Sequence, residues 1–578
     1  MNAEQIRRLW MVIIGIGFAA LIIVGRLIAF QAVQGPEWAA QGERLHILQV
    51  QDQPNRGIIY DRNGAVLAAN SSDYQIGVSP NLVLDAEQMA TTLAPYLNIP
   101  RYELLDKLNS EQPYELLAGR VTPQVADAIR GLGYEEQGLQ IEPIPRRIYP
   151  QGQLLCHVLG YTTFDGLGSA GVEGYYQNEL AGEAASAFVN ISPLTEQPEV
   201  IAREGDSMVL TIDRSIQYLV EQTLQGAILE HGAQDGTIIV MDPRSGAILA
   251  MASTPCFDPN TYYQVADPSV FLNPATGKQY EPGSVMKLVT MAAALDSGTV
   301  TPQTTYYDSG MLQVGGVQVF NWDRGGYGET DMTTLLINSL NVGAATIATW
   351  MGPETFYTYL DRFGFGRPTG IDLMAEASGV MNHPGDELWT EAEIATNSFG
   401  QGLAVTPLQM VSAVSAIANN GVMMQPYLVQ ERQSANGELF VHQPTVLSRP
   451  ISAETAQILS TMAVSVVARG LDAATVEGYT VAGKSGTAQI PVNGIYDPVN
   501  VIASFIGWLP ADNPELLVFV ILNKPTSAYW GSQTAAPVFS QLVSELVVML
   551  DIPPDTIRLQ AEIAAARGQT TSTTSTEP

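Results

Sequence analysis

The hydrophobic and polar positions of this chain fall into three successive patterns. An uncharged apolar run extends from Leu9 to Gly25, with Arg7 and Arg8 before it and Arg26 after it. Short alternating and helical patches then follow to about residue 205, and longer, more regular patches continue from there to about residue 555. The pattern predicts one membrane-length helix and two folded regions of mixed α+β type.

The apolar run is long enough for a transmembrane helix, which needs about 20 largely apolar residues. Arg26 lies near its end, where its charge can reach the interface, and the pair Arg7 and Arg8 favours an N-terminus inside the cell. A cleavable signal peptide is the competing interpretation, but no clear Ala-x-Ala site follows the run. We therefore predict an uncleaved anchor in residues 1–30, with the rest of the chain outside the cytoplasm.

The first folded region, residues 31–205, is predicted to be an elongated α+β domain with little obvious chemistry. Arg56–Gly64 combines a short β-rich run with an Asn-Gly turn signal, which is typical of a hairpin. Asp85–Leu97 and Tyr102–Leu108 indicate helices. A stretch with a proline, a glycine and several polar residues, Ser192–Asp206, is the predicted linker to the second region.

The second folded region, residues 206–555, has strand patterns at both ends and helices between them. Helical spacing marks Ile216–Leu229, and Val538–Leu550 is amphipathic. The strand-like segments are Thr237–Met241, Ala247–Ala252, Tyr479–Ala482, Ala503–Leu509 and Leu516–Leu522. We predict one antiparallel sheet covered by helices, followed by a disordered tail in residues 556–578, of which Gly568–Pro578 is rich in Thr and Ser.

Composition excludes several classes of function. The net charge is -31, with 58 acidic and 27 basic residues, so the chain lacks the basic character of a generic nucleic-acid binder. Five histidines are scattered without ligand spacing, and the two cysteines, Cys156 and Cys256, cannot build a metal cluster or a disulfide framework. The two cysteines can pair in an oxidising compartment, but two buried apolar thiols are the favoured interpretation. We expect no metal site.

The strongest chemical signal begins at Ser284, which follows Glu281-Pro282-Gly283 and opens an apolar helix. A serine there lies near free backbone N–H groups that suit a developing oxyanion, although a plain N-cap serine fits equally well on its own. Lys287 lies one turn further on the same face. Its apolar neighbours favour partial desolvation, which lowers the pKa of a lysine and makes it a candidate base for the serine hydroxyl.

Two further short motifs stand later in the chain. In Ser339-Leu340-Asn341 the hydroxyl of Ser339 can relay a proton and the amide of Asn341 can bind a peptide bond, although a helix cap is the simpler interpretation of this motif alone. Lys484-Ser485-Gly486-Thr487 follows a predicted strand, so Lys484 and Gly486 share one face and Ser485 and Thr487 the other. Gly486 removes a side chain where a substrate backbone can approach, and an edge strand can hold an extended peptide.

In order and type, the three motifs match S-x-x-K, S-x-N and K-[ST]-G, a serine acyl-transfer signature. Together with other segments they give the chain a resemblance to the class B penicillin-binding proteins, the monofunctional D,D-transpeptidases of bacterial cell-wall synthesis. The segments that carry this resemblance are RGIIYDRNGAVLA at 56–68, Arg147–Gly160, Gly171–Gly182, YEPGSVMK at 280–287, SFGQGLAVTPLQ at 398–409 and ASFIGWLP at 503–510. Leu340 and Ser485 stand where the family often has Ser and Thr.

The resemblance implies a pedestal or dimerisation-type domain at 31–205 and a serine β-lactamase-like transpeptidase domain at 206–555. Ser284 is then the nucleophile toward the penultimate D-Ala of a stem peptide, Lys287 the base, and Ser339 the proton relay tuned by Lys484. Asn341 would hold the substrate amide, while Ser485, Gly486 and Thr487 would hold the peptide and its carboxylate; the N–H groups of Ser284 and Thr487 would form the oxyanion hole. No cofactor is implied.

The implied partners are peptidoglycan stem peptides and lipid-linked nascent glycan, β-lactams as covalent inhibitors, the membrane through one helix, and a polytopic glycan polymerase with other division proteins. Asp165–Glu173 and the surroundings of Lys484–Tyr496 favour the division type over the elongation type. Two other interpretations stay open: a membrane-anchored β-lactam sensor or hydrolase, and a non-catalytic division scaffold.

Overall fold

Helices and strands alternate along most of the chain in a computed structural model that describes residues 3–35, 47–52, 54–190, 201–492 and 495–572. The strands are β1 Ile47–Asp52, β2 Ile59–Tyr60, β3 Val66–Val78, β4 Glu115–Val121, β5 Leu139–Ile148, β6 Tyr161–Thr162, β7 Gly168–Ser169, β8 Ala185–Asn190, β9 Ser207–Leu210, β10 Asp235–Met241, β11 Ile248–Ser253, β12 Thr305–Asp308, β13 Met311–Val314, β14 Val317–Phe320, β15 Gly328–Asp331, β16 Met423–Met424, β17 Val429–Gln433, β18 Leu439–Val441, β19 Val446–Ser448, β20 Ala482–Val492, β21 Ile495–Leu509 and β22 Leu516–Asn523. Most of the predicted linker lies outside the described residues.

α-Helices connect many of these strands along the chain. They are Ala3–Ile28, Ala86–Leu97, Arg101–Leu108, Pro123–Arg130, Cys156–Leu159, Gly171–Tyr175, Gln177–Ala181, Arg214–His231, Pro274–Gly277, Met286–Asp296, Met332–Asn338, Asn341–Met351, Pro353–Arg362, Ala392–Ser398, Pro407–Ala418, Ala453–Gly470, Ala535–Met549 and Asp555–Ser572. This mixture confirms the predicted α+β class.

The chain forms two compact units. The first comprises Met1–Asn55 and Ala181–Gly205. Within it, β1 pairs with β8 in antiparallel register, and the helical stretch Ile6–Ala32 is long and apolar enough to cross a membrane. Its described side chains are exposed along the whole helix, as expected of a surface that faces lipid.

The second unit comprises Arg56–Leu180 and Asp206–Pro578 and contains a five-stranded sheet in the order β11-β10-β22-β21-β20. All of its pairings are antiparallel, as the sequence predicted. Strand β10 is buried at every residue, which is typical of a strand covered on both faces. Strand β20 ends the sheet, so the prediction that the third motif lies on an edge strand is confirmed.

A second sheet of the same unit has the order β18-β17-β9-β2-β3-β4, with β5 also paired to β3. Strands β2 to β5 precede the predicted boundary at residue 205 and strands β9, β17 and β18 follow it. The join is the parallel pair β2 and β9, in which Ile59 faces Met208. A small separate core lies under the β3–β4–β5 end, around Ile76, Met89 and Leu104.

A buried ionic cluster ties together the segments that resemble pedestal motifs. The carboxylate of Glu173 accepts from Arg56 Nε at 2.6 Å and from Arg147 Nε at 2.7 Å, and Tyr149 OH donates to it at 3.3 Å. Burial alone acts to raise the pKa of Glu173, but the charges of Arg147 and Arg56 outweigh it and hold this pKa below its usual value. The ion pairs are thus charged and solvent-excluded, and the loss of one partner would leave the other charges buried without a counter-charge.

Two sequence predictions are wrong. Cys156 and Cys256 form a disulfide, with Cα atoms 6.1 Å apart, instead of two thiols; the two residues are 100 positions apart, so no local pattern could indicate their proximity. The tail predicted as disordered begins as the helix Asp555–Ser572. Arg558 is buried there and donates to Asp512 at 2.6 Å, which fixes the first turn, and the alanines that follow favour helix.

Candidate active site

The turn that carries Ser284 begins at a glycine in the left-handed region of backbone conformation. Gly283 has φ +59°, in the left-handed region, and its N–H donates to Gly400 O at 3.0 Å. A short 3₁₀ turn, Gly283–Val285, leads into the helix Met286–Asp296. Val285 and Met286 are buried while Ser284 is half-exposed. The turn therefore presents the hydroxyl of Ser284 from an otherwise buried segment, as the sequence predicted.

Lys287 is the centre of the hydrogen-bond network. Its side chain is 1% exposed. Its Nζ lies 2.9 Å from Ser284 Oγ, 2.6 Å from Ser339 O, 3.1 Å from Ser339 Oγ and 2.7 Å from Asn341 Oδ1. Burial, reinforced by the charge of Lys484, holds the pKa of Lys287 well below its ordinary value. A lowered pKa favours the neutral form of the amine, and a neutral lysine in contact with a serine hydroxyl is the arrangement that a general base requires.

The second motif turns a corner between two helices. Ser339 follows the helix Met332–Asn338 with φ 54°, a left-handed conformation that aims its backbone carbonyl at Lys287. Leu340 is fully buried, and Asn341 begins the helix Asn341–Met351. The amide nitrogen of Asn341 donates to Phe320 O at 3.1 Å. The turn thus brings two polar side chains to one amine, which the spacing of the motif alone did not settle.

Lys484 reaches the same network from the edge strand. It is 1% exposed, and its Nζ donates to Ser339 Oγ at 3.0 Å and to Ser485 O at 2.9 Å. Burial lowers the pKa of Lys484 to about 7. Because the two lysines lie in one buried site, their protonation states are coupled, and one of them carries the charge more readily than the other.

The third motif lies inside strand β20, which begins at Ala482 and not at Tyr479 as predicted. Lys484 and Gly486 are buried and Ser485 and Thr487 half-buried, so the predicted alternation is confirmed. Thr487 Oγ1 accepts from Gly531 N at 3.0 Å. No bond to the other site residues involves the hydroxyl of Ser485 in the described part of the chain; its backbone carbonyl, by contrast, binds Lys484.

Gly486 is required for packing. A Cβ at this position would lie 2.4 Å from Ser504 Oγ and 2.7 Å from Val285 Cγ2. The missing side chain therefore lets the turn that carries the nucleophile pack against the strand. The approach of a substrate backbone, which the sequence suggested for this glycine, stays a prediction.

Sequence reasoning missed an aromatic pair. The rings of Trp322 and Trp530 meet edge to face at 5.3 Å. Trp322 Nε1 donates to Asn338 O at 3.2 Å, and Trp530 precedes Gly531, the partner of Thr487. The pair thus links the Ser339 side of the site to the strand side. Tryptophan in a polar loop is the one signal in the sequence that could have indicated it.

Glu281 was also missed, although it lies three residues before Ser284. Its Oε1 accepts from Gly402 N at 3.0 Å and from Tyr496 OH at 3.2 Å. Burial raises the pKa of Glu281. Its bonds hold Gly402 and the start of β21 beside the turn that carries Ser284.

The described side chains of the site thus bring two hydroxyls, two lysine amines and one amide within hydrogen-bonding distance of one another, an arrangement suited to proton transfer to and from a serine. No group of three or more His, Cys, Asp or Glu side chains suited to a metal occurs among the described residues.

Comparison with known families adds the following. A family model described as "Penicillin binding protein transpeptidase domain" matches residues 236–544, and one described as "Penicillin-binding Protein dimerisation domain" matches residues 51–204. The match of the first model contains all three motifs of the site.

Two relatives align with more than nine tenths of this chain. Stage V sporulation protein D of Bacillus subtilis is 34% identical over 95% of this chain and 86% of its own length. Peptidoglycan D,D-transpeptidase FtsI of Escherichia coli is 28% identical over 93% of this chain and 91% of its own. Among solved structures, penicillin binding protein 3 of Mycobacterium tuberculosis in complex with aztreonam has a TM-score of 0.69 at 28% identity, covering 87% of this chain and 98% of that one.

Proposed function

This chain belongs to the class B penicillin-binding proteins, and we propose that its acyl-transfer chemistry runs through Ser284, Lys287, Ser339 and Lys484. The protein is a serine-type peptidoglycan D,D-transpeptidase. The observation that carries the assignment of roles is the continuous hydrogen-bond path from Ser284 Oγ through Lys287 Nζ and Ser339 Oγ to Lys484 Nζ, with steps of 2.9, 3.1 and 3.0 Å.

In the acylation step, Ser284 Oγ attacks the carbonyl carbon of the penultimate D-Ala. The hydroxyl proton passes to neutral Lys287, and the N–H groups of Ser284 and Thr487 stabilise the oxyanion. When the tetrahedral intermediate collapses, the C–N bond to the terminal D-Ala breaks. The proton reaches the leaving amine through Ser339, because this hydroxyl contacts both lysines. The result is an acyl-serine and free D-Ala.

In the second step, an amine of another stem peptide attacks the acyl-serine. Lys287 and Ser339 take the proton from that amine and return it to Ser284 Oγ as the ester bond breaks. A peptide cross-link forms and the free enzyme is restored. A water molecule in place of the amine would give hydrolysis, so the site must favour the amine.

The donor peptide is bound along β20. Its carboxylate takes hydrogen bonds from the hydroxyls of Ser485 and Thr487, close to the positive charge of Lys484. Asn341 has a second N–H besides the one that binds Phe320 O, and this N–H donates to the substrate amide carbonyl. Gly486 keeps the strand close to the nucleophile turn.

The protein is anchored in the membrane by its N-terminal helix, and we propose that residues 31–578 lie outside the cytoplasm. The pair Arg7 and Arg8 supports this orientation. The disulfide between Cys156 and Cys256 supports it independently, because such bonds persist in oxidising compartments. We also propose a pedestal domain at 31–205 and a transpeptidase domain at 206–555.

Proposed partners are stem peptides on lipid-linked nascent glycan, a polytopic glycan polymerase and other proteins of the division machinery. The similarity to FtsI and to a sporulation protein supports a septal role, with β-lactams acting as covalent inhibitors. Septal fluorescence of a tagged chain would support this role, while lateral fluorescence would favour the elongation type.

The roles are tested by labelling the purified protein with a fluorescent penicillin and mapping the labelled peptide. We expect a single long-lived adduct on Ser284, and none in Ser284→Ala. An adduct on another residue would overturn the site. Rapid turnover of the adduct would instead favour a β-lactam hydrolase, and growth supported fully by Ser284→Ala would favour a scaffold.

A further inference from the structure

Asp308 and Asn321 form a buried polar pair that none of the three motifs includes. They are 1% and 2% exposed. The carboxylate of Asp308 accepts from Tyr306 OH at 2.8 Å, from Gly310 N at 2.8 Å, and from Asn321 Nδ2 at 2.9 and 3.1 Å. A carboxylate with this many donors in a solvent-excluded place is fixed in orientation.

Asp308 in turn fixes the amide of Asn321. The oxygens of Asp308 and the carbonyl oxygen of Gly325, which lies 3.0 Å from Asn321 Nδ2, can only accept hydrogen bonds. The NH₂ end of the amide must therefore face them. The carbonyl end then accepts from Val342 N at 3.1 Å. This N–H belongs to the first turn of the helix Asn341–Met351, where backbone donors lack partners within the helix.

Phe320, the residue before Asn321, holds the side chain of Asn341. Because Phe320 O can only accept, the NH₂ end of Asn341 must face it, at 3.1 Å. The oxygen of Asn341 consequently faces Lys287, at 2.7 Å. Two consecutive residues thus hold Asn341 from both sides, one through its side chain and one through the next backbone N–H.

The orientation of Asn341 decides where the lone pair of Lys287 points. A neutral lysine has two N–H groups and one lone pair. Ser339 O and Asn341 Oδ1, the two nearest atoms at 2.6 and 2.7 Å, only accept and so take the two N–H groups. The lone pair is left for a hydroxyl, and Ser284 Oγ at 2.9 Å is nearer than Ser339 Oγ at 3.1 Å, which also accepts from Lys484. A reversed Asn341 amide would offer an N–H to that lone pair and compete with Ser284.

We propose that Asn321, held by Asp308, is a positioning residue for acylation, which keeps the lone pair of Lys287 directed at Ser284. The inference rests on the proposed roles of Ser284 and Lys287. Neither Asn321 nor Asp308 touches a reacting atom; both act through Val342 and through the Phe320–Asn341 contact.

The test is the rate of Ser284 acylation by a fluorescent penicillin between pH 5 and 9, in the full chain and in Asn321→Ala. We expect a rate about tenfold lower, a size typical of coupled neighbours. We also expect the rate of Asn321→Ala to rise at lower pH than that of wild type. An Asn341 N–H that faces the amine of Lys287 disfavours the protonated form of this amine and so lowers its pKa. Lys484 is the charged group that faces Lys287; the nucleophile turn and the Ser339–Asn341 segment present hydroxyl, amide and carbonyl groups. Gln318→Ala, an exposed amide on the neighbouring strand, serves as control and should match wild type.

A merely structural role would lower the fraction of protein that is acylated and leave the pH at which the rate rises unchanged, which would overturn the proposal. The exchange pair gives a second test that does not depend on the folding of Asn321→Ala. Asn321→Asp alone places a carboxylate beside both Asp308 and the carbonyl oxygen of Gly325, whereas Asp308→Asn with Asn321→Asp relieves the first of these two contacts and leaves the second. The double variant should therefore recover part of the acylation rate lost in the single variant; recovery no better than the single variant would refute the inference. Absence of a Ser284 adduct in wild type would instead refute the proposed function.

Discussion

The amines of Lys287 and Lys484 converge on one oxygen, Ser339 Oγ, at 3.1 and 3.0 Å. Two lysines in one buried site cannot both be charged without cost, and burial lowers the pKa of each. The hydroxyl between them is therefore placed to exchange a proton with whichever amine holds it.

Replacing Lys484 should move the pH profile of acylation. The charge of Lys484 contributes to the low pKa of Lys287 after burial itself. In Lys484→Met the pKa of Lys287 rises, more of it is protonated at neutral pH, and the rising limb shifts to higher pH. Lys484→Arg keeps the charge and should leave the limb near its wild-type position. An acylation rate that rises at the same pH in Lys484→Met and in wild type would show that the charge of Lys484 does not affect the pKa of Lys287.

Lys484 should also lower the free energy of unfolding near neutral pH. Burial lowers the pKa of Lys484 to about 7 in the folded state, against about 10.4 in the unfolded chain. Between these two pKa values the unfolded state binds more protons than the folded state. The free energy of unfolding therefore rises as the pH increases from about 7 to about 10.4, and it decreases as the pH falls toward 7. Thermal unfolding should therefore show Lys484→Met a few °C more stable than wild type at pH 7, with the gain shrinking toward pH 10. A gain that is constant with pH would show that titration is not its cause.

Ser339→Ala should slow acylation by about 10² or more, the usual contribution of a positioned proton-transfer group. The affinity of the initial non-covalent complex should change little, because no part of this hydroxyl is needed to hold the carboxylate. Stopped-flow separation of binding from acylation measures both. Thr487→Val is the informative comparison, since it should weaken binding more than chemistry.

Removing the disulfide should destabilise the fold. Cys156 and Cys256 are 100 residues apart, so the bond closes a long loop in the unfolded chain. We expect reduction to lower the free energy of unfolding by about 2–4 kcal/mol. The double variant Cys156→Ala/Cys256→Ala should have the same free energy of unfolding as the reduced protein, and added reductant should not change it. Alkylation of both cysteines in untreated, folded protein would show that the bond is not formed.

Glu173→Gln should be strongly destabilising, by about 3–5 kcal/mol, because it leaves Arg56 and Arg147 charged, buried and short of their partner. Denaturant unfolding measures the loss. Glu135→Gln removes a carboxylate from an exposed pair with Arg130 and should cost under about 1 kcal/mol. Equal losses in the two variants would show that the buried cluster contributes little.

Sequence reasoning succeeded where local pattern and chemistry coincide. The spacing of Ser284 and Lys287 on one helical face predicted their contact, and alternation along β20 predicted the faces of Lys484 and Thr487. It could not show that Ser339 bonds both lysines, because that contact joins residues 52 and 145 positions apart. The disulfide, which joins residues 100 positions apart, escaped it for the same reason. The Asp308–Asn321 pair spans only 13 positions and escaped it because neither residue belongs to a motif or a periodic pattern.

Glycine also carried less information than expected. The sequence suggested that Gly486 leaves room for a substrate backbone, and the fold adds a second reason, the close packing of Ser504 and Val285 against this position. A glycine in a motif shows that something comes close; only the fold shows what.

The sheet that contains both β2 and β9 has a practical consequence for anyone who shortens this chain. A fragment cut at residue 206 keeps the acylation machinery but loses Ile59 and Tyr60, the strand partners of Met208 and Val209. Strand β9 would then become a bare edge, open to pairing with another molecule. The smallest fragment expected to stay monomeric and soluble therefore starts near Arg56, because Arg56–Leu180 of the predicted pedestal belongs to the same compact unit as the acylation site.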